Sequence, residues 1–116
     1  MHNVEQIRNF ALQLPGVEEG FPFGEDTLVL KVGGKMFLLL PLDEADCRFN
    51  AKCNPDRAVE LREEYPDNIL PGYHMNKAHW NTVVVNSGIS STLIRELIRD
   101  SYDLVKPKTK VSRPKQ

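Results

Sequence analysis

The chain has 116 residues, of which 41% are hydrophobic and 27% charged; these values suit one packed domain and exclude wholesale disorder. The longest apolar run, Met36 to Leu40, is strand-sized and far short of the roughly 18 residues of a membrane span. The net charge of −1 hides an asymmetry: residues 106–116 hold Lys106, Lys108, Lys110, Arg113 and Lys115 and no acid, which leaves ten basic against sixteen acidic residues, a charge of −6, in residues 1–105.

Asn3 is a good helix N-cap, with Gln6 three residues later as in a capping box. Val4, Ile7, Phe10, Ala11 and Leu14 then recur at helical spacing until Pro15-Gly16 ends the helix. Val17 to Gly24 reads as a loop whose Phe21-Pro22-Phe23 packs down over a sheet. Thr27 to Val32 and Lys35 to Leu40 are two strands joined at Gly33-Gly34, a pair that supplies the positive φ angles of a type I′ hairpin. Asp43-Glu44-Ala45-Asp46 makes the next turn. Cys47 to Cys53 is a third strand, with Cys47, Phe49, Ala51 and Cys53 on one face and Arg48, Asn50 and Lys52 on the other. Asn54-Pro55 opens a second helix that runs to about Tyr65. Asn68 to Tyr73 is a short strand interrupted by Pro71-Gly72, which suits a sheet edge or a bulge. Trp80 to Val85 is the last strand. Ser90 caps a final helix with Leu93, Ile94, Leu97, Ile98, Tyr102 and Val105 as its buried stripe. The expected architecture is α+β: one antiparallel sheet packed by helices, forming a single domain over residues 1–105 with a basic, flexible tail over 106–116.

The N-terminus, Met1-His2-Asn3-Val4-Glu5, lacks the basic and apolar regions of a signal peptide, and a cytoplasmic protein without membrane contact is expected. Cys47 and Cys53 lie roughly 20 Å apart along one strand, beyond disulfide reach, and read as reduced, half-buried hydrophobes. No CxxC or HExxH spacing occurs, so neither a metal site nor a cofactor is expected. Phosphate-binding glycine loops and GxSxG elbows are also absent, and the spacing gives no support to a His79–Cys53 nucleophile pair.

The chemically distinctive stretch is Tyr73 to Trp80, with two imidazoles, an amide, a lysine and the only tryptophan. Asn76, Lys77, His79 and Trp80 can contact phosphate or stack on a base. Alternatively Trp80 is a core anchor, while His74 and Asn76 bond to the local backbone. Arg48 and Lys52 extend this into a basic patch if their strand face adjoins the loop; otherwise that face is simply solvated. The basic tail could add a nonspecific arm. These residue types suit a noncatalytic nucleic-acid-binding protein, with a protein- or small-molecule-binding module as the alternative. An enzyme would need a cleft in which His79 meets a second titratable group.

Leu14-Pro15-Gly16-Val17-Glu18-Glu19, then Phe21-Pro22-Phe23-Gly24 leading into Leu28 to Val32, resembles the YjbR/MmcQ family of small bacterial proteins. Lys52-Cys53-Asn54-Pro55 and His74-Met75-Asn76-Lys77-Ala78-His79-Trp80-Asn81-Thr82-Val83 carry the resemblance further, and Asn-Lys-x-His-Trp is its most specific part. It implies a two-layer α-β(3)-α-β(2)-α fold, related in shape to CyaY/frataxin-like and secretion-chaperone-like domains. It also implies DNA binding through a double-wing arrangement, with Lys52, Asn76, Lys77, His79 and Trp80 as the matching positions. The acidic body departs from that expectation and confines any nucleic-acid contact to one patch. Iron binding of the frataxin type needs an acidic ridge, and the first helix offers only Glu5.

Overall fold

Each helix begins where the sequence supplies a side-chain oxygen for the free N–H groups of its first turn. Asn3 Oδ1 accepts from the Gln6 amide at 2.9 Å and starts α1, Val4–Leu12. Asn54 Oδ1 accepts from Asp56 and Arg57 at 3.0 and 3.4 Å and starts α2, Pro55–Glu64. Ser90 Oγ accepts from Leu93 at 3.1 Å and starts α3, Ser91–Val105. The computed structural model describes residues 3–72 and 75–107. Its strands are β1 (Val17–Gly20), β2 (Thr27–Val32), β3 (Lys35–Pro41), β4 (Arg48–Lys52), β5 (Ile69–Pro71) and β6 (Trp80–Val84). They form one antiparallel sheet in the order β1-β2-β3-β4-β6-β5. The α+β class is as expected.

The first stretch after α1 departs from the sequence reading. Val17–Gly20 is an edge strand, not a loop, so the element order is α-β(4)-α-β(2)-α. Its pairing explains it: Val17 lies opposite Val32 and Glu19 opposite Leu30. Arg8 on α1 grips both oxygens of Glu19 at 2.6 Å, tying helix to strand. With two consecutive glutamates, the segment shows no hydrophobic alternation of its own. Phe21 and Phe23 do not pack down on the sheet either; they are 52% and 64% exposed.

The two sheet faces differ sharply. Leu28, Leu30, Leu38, Leu40, Phe49 and Val83 point to one side and meet Ile7, Leu61, Ile94 and Ile98 from the three helices. On the other side lie Val29, Leu39 and Trp80, with Met36 and Met75 beside them. At the hairpin, Gly33 and Gly34 have φ of 59° and 79°, as the I′ turn requires.

Near that hairpin the β2–β3 register shifts between Leu30 and Lys31, and β3 and β4 pair directly only at Leu38–Ala51 and Leu39–Asn50. Ser101, fully buried on α3, fills the gap between the strands. Its hydroxyl donates to the Phe37 carbonyl at 2.5 Å and accepts from the Lys52 amide at 2.9 Å. A side chain thus satisfies two main-chain groups that no neighbouring strand reaches.

Candidate functional site

The segment preceding β6 is built by Asn76. Its side-chain oxygen accepts from the Ala78 amide at 2.9 Å, an Asx turn, and its carbonyl accepts from His79 and Trp80 at 3.2 and 3.0 Å. The turn is closed against β4 by the Cys53 amide, which donates to the His79 carbonyl at 2.6 Å. That bond follows the Lys52–Trp80 pair of the ladder and brings the end of β4 beside the turn. Lys77 and His79 are exposed on it, and Lys52 is half-buried. Tyr73 and His74 lie outside the described residues.

Trp80 is only 6% exposed and packs with Val29 and Leu39 on the helix-free face, so it anchors the turn. Gly72 makes this possible. Its amide donates to the Trp80 carbonyl at 2.9 Å, and a Cβ there would stand 2.8 Å from Trp80 Cβ.

The structure brings Lys52, Asn76, Lys77, His79 and Trp80 to one end of the sheet but leaves Arg48 at the other. Arg48 lies opposite Val84, roughly 13 Å from Lys52 along β4. Its guanidinium holds Asp46 in a two-pronged bond of 2.7 and 2.8 Å, with Glu44 at 4.0 Å. The hydrogen bond to Arg48 keeps the Asp46 carboxyl below the usual carboxylate range. The face between the two ends is not simply solvated, because Asn50 is 8% exposed and accepts from the Thr82 hydroxyl at 2.5 Å.

The sheet is therefore polarised along its strands. Lys31 and Lys35 flank the hairpin at the same end as Lys52 and Lys77, and among the described residues none of these four lysines is in an ion pair. Glu18, opposite Lys31 on β1, is the nearest acid in the sheet. At the opposite end stand Asp26, Asp43, Glu44 and Asp46, with Glu25 just before β2. The sequence reading missed Lys31 and Lys35, although their positions on either side of Gly33-Gly34 put both at a hairpin tip. The last described residue, Pro107, also sits at this end: a Cβ on Gly33 would lie 2.5 Å from its ring. The rest of the basic tail, residues 108–116, falls outside the described residues.

On the helix side, Cys53, Arg57, Asn81 and Asp100 line a small cavity of about 20 Å³. Asn81 is 3% exposed and donates to the Ala58 carbonyl at 3.4 Å, while its Oδ1 has no protein partner among the described residues. Burial pushes the Cys53 thiol and the Asp100 carboxyl above their ordinary values.

A family model described as YjbR matches residues 12–104. The chain is 43% identical over 101 residues to the uncharacterized protein YbdF of Escherichia coli O157:H7, covering 87% of this chain and 82% of that one. It is 26% identical over 99 residues to the uncharacterized protein YjbR of Escherichia coli K12, covering 85% and 83%. The fold superimposes on the crystal structure of the Deinococcus radiodurans protein DR2400, of domain DUF419, with a TM-score of 0.87 at 40% identity, over 97% of this chain and 86% of that chain. A match that runs from the end of α1 to the end of α3, and takes in the Asn76–Trp80 turn, leaves one assignment: the chain belongs to the YjbR family.

Proposed function

We propose that the chain is a noncatalytic module that binds the phosphate backbone of DNA with the basic end of its sheet. The observation that supports this is the charge segregation. Lys31, Lys35, Lys52 and Lys77 stand at the end of the sheet that carries the β2–β3 hairpin and the Asn76–Trp80 turn, where Glu18 lies opposite Lys31, while Asp26, Asp43, Glu44 and Asp46 stand at the far end. Phosphate attraction needs unneutralised cations in one place, and an acidic body then repels a duplex from every other approach. Hairpin and turn act as the two wings of the double-wing arrangement. Within this reading Asn76 shapes the turn, Trp80 holds it on the sheet, and Lys52, Lys77 and His79 make the contacts. Arg48, neutralised by Asp46, stays outside. The protein acts in the cytoplasm, where its two free cysteines remain reduced.

The test is fluorescence anisotropy with a labelled duplex, from low to physiological salt. Lys52→Ala with Lys77→Ala should weaken binding and lower the slope of log affinity against log salt by about 1.8, close to 0.9 per lost phosphate contact. Absence of binding at low salt, or an unchanged slope, sinks the proposal. It would leave the protein- or small-ligand-binding alternative.

A further inference from the structure

We infer that the helix-free face, at the acidic end of the sheet, docks an extended, apolar peptide segment bearing lysine or arginine, supplied by a protein partner. Two hollows of about 360 and 410 Å³ on this face share Pro41, Glu44 and Asn50, and so form one trough. Its axis follows a row of residues directly opposite one another, from Leu39 on β3 through Asn50 and Thr82 to Leu70 on β5. Three strand spacings give a length of roughly 14 Å, which matches about four residues of extended chain.

The floor suits an apolar occupant. Leu39 and Leu70 supply carbon, and Asn50 and Thr82 bond to each other rather than wait for a ligand. Phe23, 64% exposed, and the half-buried Met75 stand along one hollow and add apolar surface to it. Charge then selects the partner. Asp26, Asp43 and Glu44 edge the trough, and the cation that lines it, Arg48, is engaged by Asp46. Three carboxylates around an apolar floor favour a cationic segment and repel nucleic acid, so this surface is distinct from the basic end. A small molecule would find too little enclosure in an open trough.

The experiment is an NMR titration of the isotope-labelled full chain with a capped hexapeptide of alternating lysine and leucine, and with a control carrying glutamate for lysine. Saturable shifts should concentrate at the amides of Leu39, Asn50, Leu70 and Thr82. Asp43→Lys with Glu44→Lys should weaken the affinity about tenfold, as like charges across an interface do. Phe23→Ser, at an exposed site, should weaken it as well. Lys52→Ala with Lys77→Ala should leave it unchanged, which separates this outcome from that of the DNA assay. The inference is overturned if the lysine peptide gives no saturable shift, if the glutamate peptide binds equally, if the shifts fall elsewhere, or if charge reversal has no effect. It is also overturned if sedimentation shows a dimer that Phe23→Ser dissolves, because the occupant is then a second copy.

Discussion

Leu38 and Leu39 are the same residue type, one step apart on β3, with 0% and 5% exposure, yet they belong to different parts of the molecule. Leu38 faces the three helices and joins a core drawn from every helix and most strands. Leu39 faces the other way, into a small group with Val29, Trp80 and the two partly buried methionines. Alternation along a strand sends successive side chains to opposite faces, so one leucine joins the large core and the next the small one. The covered face holds the main core, and the open face carries no helix and only a small apolar group.

The largest effect should separate these two leucines. Leu38→Ala should cost close to the upper end of the ~2–5 kcal/mol seen for buried leucines, because packed helices cannot collapse into the cavity. Leu39→Ala should fall near the lower end, because its neighbours border solvent and can relax. Denaturant unfolding measures both, and a larger loss at Leu39 would break the comparison.

The next effects test how the open end is held. Ser101→Ala removes the partner of both the Lys52 amide and the Phe37 carbonyl, and should cost about 1–3 kcal/mol. Hydrogen exchange at the Lys52 amide should accelerate in the same variant; unchanged protection there would argue against the bridge. Gly72→Ala places a methyl against Trp80 and should destabilise by about 1–3 kcal/mol through overpacking. Trp80 fluorescence should shift as its surroundings open.

The smallest effects belong to the surface. Lys52→Ala and Lys77→Ala should each leave stability within about 0.5 kcal/mol, since neither lysine is in an ion pair among the described residues. A larger loss would assign them a structural role. Cys47 and Cys53, both pushed up by burial, should alkylate slowly at neutral pH and faster as pH rises through the thiol range. Reaction at the rate of a free thiol at neutral pH would contradict their half-buried placement.

Much of the fold was legible in the sequence because its signals are local. Asn3, Asn54 and Ser90 are caps by their own chemistry, Gly33-Gly34 carries its turn in its allowed φ angles, and the stripe of α3 repeats at helical period. Val17–Gly20 was not legible, because its status as a strand rests on β2 and on the grip of Arg8 on Glu19, both distant in sequence. The candidate site divides in the same way. Asn76-Lys77-x-His79-Trp80 stood out by residue type alone, whereas the burial of Trp80 depends on β2 and β3.

The Tyr73–Trp80 segment and its residue types were set by the chain alone, as were the α+β class, the helix caps and the hairpin. Only the tertiary structure decided that Arg48 stands apart from Lys52, that Lys31 and Lys35 join Lys77, and that a trough opens on the helix-free face. The physical reason is that strand order and register fix which ends meet, and both depend on pairings between segments far apart in the chain. Charge can be counted along a sequence, but its segregation to opposite ends of one sheet exists only after those strands have paired.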